Sequence, residues 1–100
     1  MLKTGIQLSK DQIGLITSVL QKNFGNVDFW VYGSRARGNA KKFSDVDIIV
    51  KGEMAFTIFD IGKAKTDLAE SDLPYLVDIT DWYSVDKGFL EVIKPDLIKI

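Results

Sequence analysis

Apolar residues follow a helical period in two long stretches of this chain. Between Lys10 and Phe24 they recur every three to four residues, which predicts a first helix. Ser9 and Gln12 have the spacing of a capping box at its start, and Gly25 fits the position that ends it. The range Ala55–Glu70 repeats the helical period and predicts a second helix, with these residues at helical spacing: Ile58, Ile61, Ala64 or Lys65, and Leu68.

Shorter apolar runs that are rich in β-branched and aromatic residues predict three strands, at Phe29–Tyr32, Val46–Val50 and Tyr75–Thr80. A last short helix is expected over Asp86–Lys94, followed by the apolar tail Leu97–Ile100. Since a helix connects the second and third strands, we expect these strands to be parallel or mixed rather than a hairpin. The elements therefore predict an α/β domain, a small mixed sheet of three or more strands with helices packed on one face.

Composition limits the classes of function that the chain can have. With 46% hydrophobic and 27% charged residues, the range 1–100 is expected to form a single globular domain. We expect a cytoplasmic location and no membrane partner, because no apolar run is long enough to span a bilayer. The chain has no cysteine and no histidine, so thiolate or imidazole zinc sites and Ser-His-Asp triads are excluded. The net charge of −1 argues against broad nucleic-acid binding.

Two aspartates interrupt the second predicted strand. Asp45 and Asp47 are two residues apart, so on an extended strand both side chains leave the sheet on the same face. Neighbouring carboxylates repel each other unless a cation lies between them. Oxygen ligands favour a hard ion, and Mg²⁺ typically takes one or two carboxylates together with water and substrate phosphates. The pair therefore predicts a magnesium site.

A glycine turn and a basic segment precede the aspartates. Gly33 lets a phosphate approach the backbone, and Ser34 adds a hydroxyl that binds phosphate oxygens. Arg35 and Arg37 follow, with two lysines and no acid before Asp45. The arginines are candidates to pair with phosphate oxygens, or to brace the loop against surface acids. The alternative for the whole segment is a β-hairpin with a solvated basic loop.

These residues, GSRARGNAKKFSDVDI, closely resemble the signature of the DNA polymerase β-like nucleotidyltransferases, in particular the minimal nucleotidyltransferases. The stretch LPYLVDITD is similar to the strand that carries the third carboxylate of that family, which implies Asp78 as the third acid. Asp81 is the competing choice, because it lies only three residues further on. The resemblance implies the polymerase β-like nucleotidyltransferase fold.

The resemblance also implies a mechanism, in which a hydroxyl attacks the α-phosphorus of ATP or another NTP and pyrophosphate leaves. Two Mg²⁺ ions are implied, held by Asp45, Asp47 and Asp78. Gly33 and Ser34 are implied to bind the β and γ phosphates. Minimal nucleotidyltransferases are typically antitoxins paired with a small helical HEPN-domain protein, so the implied reaction is transfer of AMP to a tyrosine hydroxyl of that partner.

Two alternatives from other classes remain open on the sequence. One is a non-catalytic nucleotide-binding module that neutralises a helical partner by stoichiometric binding, and the other is the catalytic subunit of a drug-modifying nucleotidyltransferase. Strand alternation also places Trp30, Tyr32, Ile49 and Leu76 beside the acids. These apolar residues predict either a partner interface or a surface that the last helix covers.

Overall fold

The computed structural model describes residues 6–100, which fold around one four-stranded mixed sheet. The strands are β1 (Asp28–Tyr32), β2 (Val46–Lys51), β3 (Val77–Asp81) and β4 (Ile98–Lys99), in the spatial order β3-β2-β1-β4. β1 is antiparallel to β2 and β4, whereas β2 is parallel to β3. The α/β prediction and the three predicted strands are confirmed. β4 was not predicted, since the apolar tail is too short to show a strand period.

The helices are α1 (Lys10–Phe24), α2 (Ser34–Arg37), α3 (Ile58–Ala69) and α4 (Lys87–Ile93). α1 has the predicted bounds, and Ser9 and Gln12 form both hydrogen bonds of the capping box. α3 is shorter than predicted because Thr57 caps it. Ile58 begins the helix and is 88% exposed, so the apolar residues at helical spacing are not all buried.

The main core lies between one face of the sheet and the helices α1 and α3. The residues that alternate with the acid-bearing face along the predicted strands are all buried there: Phe29, Val31, Val46, Ile48, Val50, Val77 and Ile79. From α1, Ile16, Leu20 and Phe24 complete this layer, and Ala64 and Leu68 come from α3. The connection through α3 places β3 beside β2 in parallel.

The opposite face of the sheet carries a second, smaller apolar cluster. Tyr32 and Ile49 are buried there against Ile93 of α4, and Trp30 packs at the edge of the cluster. The last helix therefore covers most of the aromatic surface, and the expected single helical layer has a small second layer opposite it. Leu76 remains 66% exposed at the edge of the sheet.

Within residues 6–100, none of the helices combines the length and the apolar character that crossing a bilayer requires.

Candidate active site

Three carboxylates meet where β2 and β3 begin, beside the end of β1. The parallel register pairs Asp47 with Asp78, and Asp45 lies just before the first residue of β2. All three line one cavity of about 440 Å³ at the outer edge of β3. The structure thus brings together the three acids that the sequence analysis had singled out.

Asp45 and Asp47 have no ion-pair partner among the described residues. Among residues 6–100, neither Asp45 nor Asp47 accepts a hydrogen bond or an ion pair from another side chain. Partial burial raises the pKa of Asp47, and the neighbouring charges of Asp78 and Asp45 raise it further, whereas the Arg37 guanidinium lowers it. The site therefore holds an excess of negative charge that a bound cation would relieve.

This excess charge predicts that Asp47→Asn stabilises the metal-free protein. Since folding raises the pKa of Asp47, the stability that this group gives at low pH is lost as the pH rises from the unfolded pKa, about 3.9, through the raised folded value. At pH 7 the asparagine removes this cost. We expect the Tm of Asp47→Asn to be a few degrees higher than that of the wild-type protein.

Thermal melts in EDTA at pH 7 measure this effect, with Glu53→Gln as a control at an exposed acid outside the site. The control is expected to melt within about one degree of the wild-type protein. A lower Tm for Asp47→Asn than for the wild-type protein would contradict the proposed charge excess.

The Gly33 turn lies directly against Asp47. Gly33 has φ +76°, and a Cβ atom at this position would lie 2.5 Å from Oδ2 of Asp47. Any other residue here would be strained and would collide with the carboxylate. The segment expected to be a loop begins instead with one helical turn, α2, in which the Gly33 carbonyl accepts from the N–H groups of Ala36 and Arg37. Ser34 is the first residue of this turn.

Arg35, a candidate for pairing with phosphate oxygens, is instead buried beneath the loop. Its guanidinium donates to the carbonyl oxygens of Gln7 at 2.9 Å, Lys42 at 3.2 Å and Ser44 at 2.9 Å. The same group stacks 4.2 Å from the ring centre of Tyr75. Arg35 therefore braces the loop, and it does so through backbone carbonyls rather than the surface acids named above.

We expect Arg35→Lys to lower the free energy of unfolding by about 2–3 kcal/mol. A lysine ammonium cannot reproduce the planar fork, so buried carbonyl oxygens would lose their donors. Urea unfolding measures the loss. Arg37→Lys is the matched control, because Arg37 is 48% exposed and makes a surface ion pair with Asp96; its effect should stay below about 0.5 kcal/mol. Equal stability of the two variants would show that Arg35 is not a brace.

Arg37 is the arginine whose charge reaches the acids. Its side chain is half exposed, and its positive charge lowers the pKa of Asp47. A single ion pair of 3.2 Å to Asp96 leaves most of its N–H donors free among the described residues. The sequence pattern gave no way to separate the two arginines, since both follow the same turn.

Asp81, the competing third acid, has a different setting. It is 4% exposed, and its carboxylate accepts hydrogen bonds of 3.0 Å from the N–H groups of Phe56 and Tyr83 and from the Ser84 hydroxyl. These bonds cap the short 3₁₀ turn after β3 and hold the segment before α3. Both carboxylate oxygens are thus engaged in the structure of the fold.

Asp78, in contrast, is 54% exposed and faces the cavity. Its one charged partner among residues 6–100 is Lys65 of α3, with Nζ 3.0 Å from Oδ1. Sequence analysis missed the role of Lys65, because it considered this residue only as an alternative to Ala64 in the helical period of α3. Only the packing of α3 beside β3 shows that Lys65 reaches the acid.

The donor set fits a hard divalent cation that also binds substrate. No group of three or more acids in residues 6–100 converges closely enough to hold a metal alone. Asp45 and Asp47 supply carboxylate oxygens, and Mg²⁺ usually completes such a pair with waters and phosphates. The residues present therefore fit a metal ion that completes its shell with water and, when a nucleotide is bound, with phosphate oxygens.

The family model described as polymerase beta, nucleotidyltransferase matches residues 15–98. The chain belongs to this family. The matched range includes the Gly33 turn and all three acids of the cavity, and nucleotidyltransferases of this kind generally use divalent metal ions. The polymerase β-like fold expected from the signature is confirmed.

Known relatives of this nucleotidyltransferase include a probable protein adenylyltransferase, MntA, of Haemophilus influenzae, with 30% identity over 95% of this chain and 83% of the relative. A crystal structure of a toxin–antitoxin with AMP-PNP matches with a TM-score of 0.67 and 25% identity, over 76% of this chain and 61% of its own. The complex of a tri-AMPylated Shewanella oneidensis HEPN toxin with its MNT antitoxin matches at 20% identity, with a TM-score of 0.68, over 86% of this chain and 66% of its own.

Proposed function

We propose that this chain is a Mg²⁺-dependent adenylyltransferase that transfers AMP from ATP to a hydroxyl on a partner protein. One observation carries the proposal: Asp45 and Asp47, which form no ion pair within residues 6–100, line one cavity with Asp78, and Asp47 lies against the Gly33 turn. An arrangement of this kind is costly for a fold and useful for binding metal and triphosphate together. The relative from Haemophilus influenzae supports AMP as the transferred group and a protein as the acceptor.

The position of each residue suggests its role in binding the metal, the phosphates or the acceptor. Asp45 and Asp47 would hold the metal ions, and the backbone of Gly33 with the Ser34 hydroxyl would bind the β and γ phosphates. Asp78 would serve the side of the acceptor, where its carboxylate can also take the proton of the attacking hydroxyl. Arg37, whose charge lowers the pKa of Asp47, would contact phosphate oxygens, whereas Arg35 shapes the loop.

The reaction exchanges one phosphorus–oxygen bond for another. The acceptor oxygen forms a bond to the α-phosphorus of ATP, and the bond from that phosphorus to the pyrophosphate oxygen breaks. Two Mg²⁺ ions, when bound, would stabilise the attacking and leaving oxygens. The chain orients the phosphates and removes one proton, so an acceptor presented by another protein completes the site.

The acceptor that we propose is a tyrosine of a small helical HEPN-domain toxin, and the chain would then be its antitoxin. The matching structures support this pairing, since one is a toxin–antitoxin with AMP-PNP and another contains an AMPylated HEPN toxin with an MNT antitoxin. Addition of AMP to the partner would neutralise it. The cytoplasmic location expected from the sequence stays a prediction.

The test combines the chain and its co-expressed helical partner with each labelled NTP and Mg²⁺, followed by intact-mass analysis of both proteins. We expect ATP to raise the partner's mass by one or more AMP units, and EDTA to prevent this. A partner that is neutralised in EDTA with no change in mass would favour stoichiometric binding instead. Label on an added small-molecule drug and none on the partner would favour the drug-modifying alternative.

A further inference from the structure

The Lys65–Asp78 ion pair holds a particular place in the candidate site. Within residues 6–100, it is the one ion pair that ends on an acid of the cavity, with Nζ 3.0 Å from Oδ1. The two side chains are 42% and 54% exposed, so water reaches both. The pair therefore neutralises Asp78 without being locked in place.

The same pair separates two cavities along β3. The first, of about 440 Å³, contains the three acids. The second, of about 420 Å³, continues along the strand between Phe56, Ile61 and Ile79. Lys65 and Asp78 are the two residues that line both. The ion pair thus lies at the boundary between the cavity of the three acids and the second cavity.

We propose that Lys65 is a positioning residue that occupies the cation position at Asp78 in the metal-free protein and must leave before Asp78 serves a metal ion. This inference rests on the proposed function. An ammonium and a divalent ion at one carboxylate repel each other, so metal binding exchanges one cation for the other. Release of Lys65 also removes the ion pair at the boundary between the two cavities, which connects the site of the metal ion with the second cavity.

Binding of Mn²⁺ in the absence of nucleotide, followed by electron paramagnetic resonance, tests the exchange directly. We expect Lys65→Met to bind Mn²⁺ about five- to tenfold more tightly than the wild-type protein, because the competing charge is gone. Lys63→Met is the matched control, since Lys63 lies on the same helix and pairs with Asp67 instead. It should change the affinity less than twofold. Far-UV circular dichroism melts establish that both variants fold.

A double-mutant cycle assigns the effect to Asp78. In an Asp78→Asn background, Lys65→Met should change Mn²⁺ affinity less than twofold, since the exchange no longer takes place. An unchanged affinity in the Lys65→Met single variant would overturn the inference, and so would an equal gain in both backgrounds, which would reflect a general charge effect.

If the proposed function is wrong, Mn²⁺ binding gives a different result from the one expected if only the role of Lys65 is wrong. In that case Asp45→Asn would bind Mn²⁺ as tightly as the wild-type protein, and the metal site together with the role of Lys65 would be wrong. If Asp45→Asn binds Mn²⁺ more weakly than the wild-type protein and Lys65→Met binds it more tightly, both the proposed function and the role of Lys65 are supported.

Discussion

Asp45→Asn is expected to lower AMP transfer by about a thousandfold or more while the fold remains intact. The side chain is exposed and accepts no hydrogen bond within residues 6–100, so its loss removes no packing. It does remove an anionic oxygen from a site in which metal ions must offset the charge of the triphosphate. Several kcal/mol of transition-state stabilisation depend on such ligands, and each 1.4 kcal/mol is a factor of ten in rate.

Single-turnover transfer from labelled ATP to the partner measures this loss. Asp28→Asn is a suitable control, because Asp28 lies at the opposite end of β1 and pairs with Lys99 at the surface. It should transfer AMP within about twofold of the wild-type rate. If Asp45→Asn still neutralises the partner without adding mass, the chain acts by binding and the catalytic proposal fails.

Asp78→Asn is expected to lose turnover but not stability, whereas Asp81→Asn is expected to lose stability but not turnover. Asp78→Asn should lower turnover by about a hundredfold with little change in the affinity for ATP, because its metal would lie at the acceptor rather than along the phosphates. Its stability should stay within about 1 kcal/mol of the wild-type value, since the Lys65 ion pair is exposed. Asp81→Asn should instead lower stability by about 1–3 kcal/mol, because a buried carboxylate with three donors is replaced.

The two acids are separated by measuring turnover and urea unfolding on the same preparations, at a temperature well below the Tm of both variants. Turnover per folded molecule of Asp81→Asn should lie within a few-fold of the wild-type value. A folded but inactive Asp81→Asn, combined with normal turnover for Asp78→Asn, would make Asp81 the third acid.

The sequence by itself determined the features that depend on neighbours along the chain. The bounds of α1 follow from a helical period and from caps within three residues of its ends, so they were predicted correctly. Strand alternation likewise placed Asp45 and Asp47 on one face, since side chains alternate along any extended strand. The pairing of these acids with a glycine turn was visible for the same reason.

The tertiary structure decided how residues that look alike in sequence are used. Arg35 and Arg37 follow one turn, but only Arg35 points beneath the loop, where carbonyls distant in sequence such as that of Gln7 surround it. Asp78 and Asp81 share one strand, and the parallel register with β2 places Asp78 beside Asp47.

Contacts between segments that are distant in the sequence also explain the other features that the sequence did not predict. α4 folds back over Tyr32 and Ile49 on the face that the acids share, and the crossover helix α3 brings Lys65 to Asp78. These contacts join segments that are 13 to about 60 residues apart in the sequence. A local period carries no information about them, because chain connection and packing of whole elements set which side chains meet.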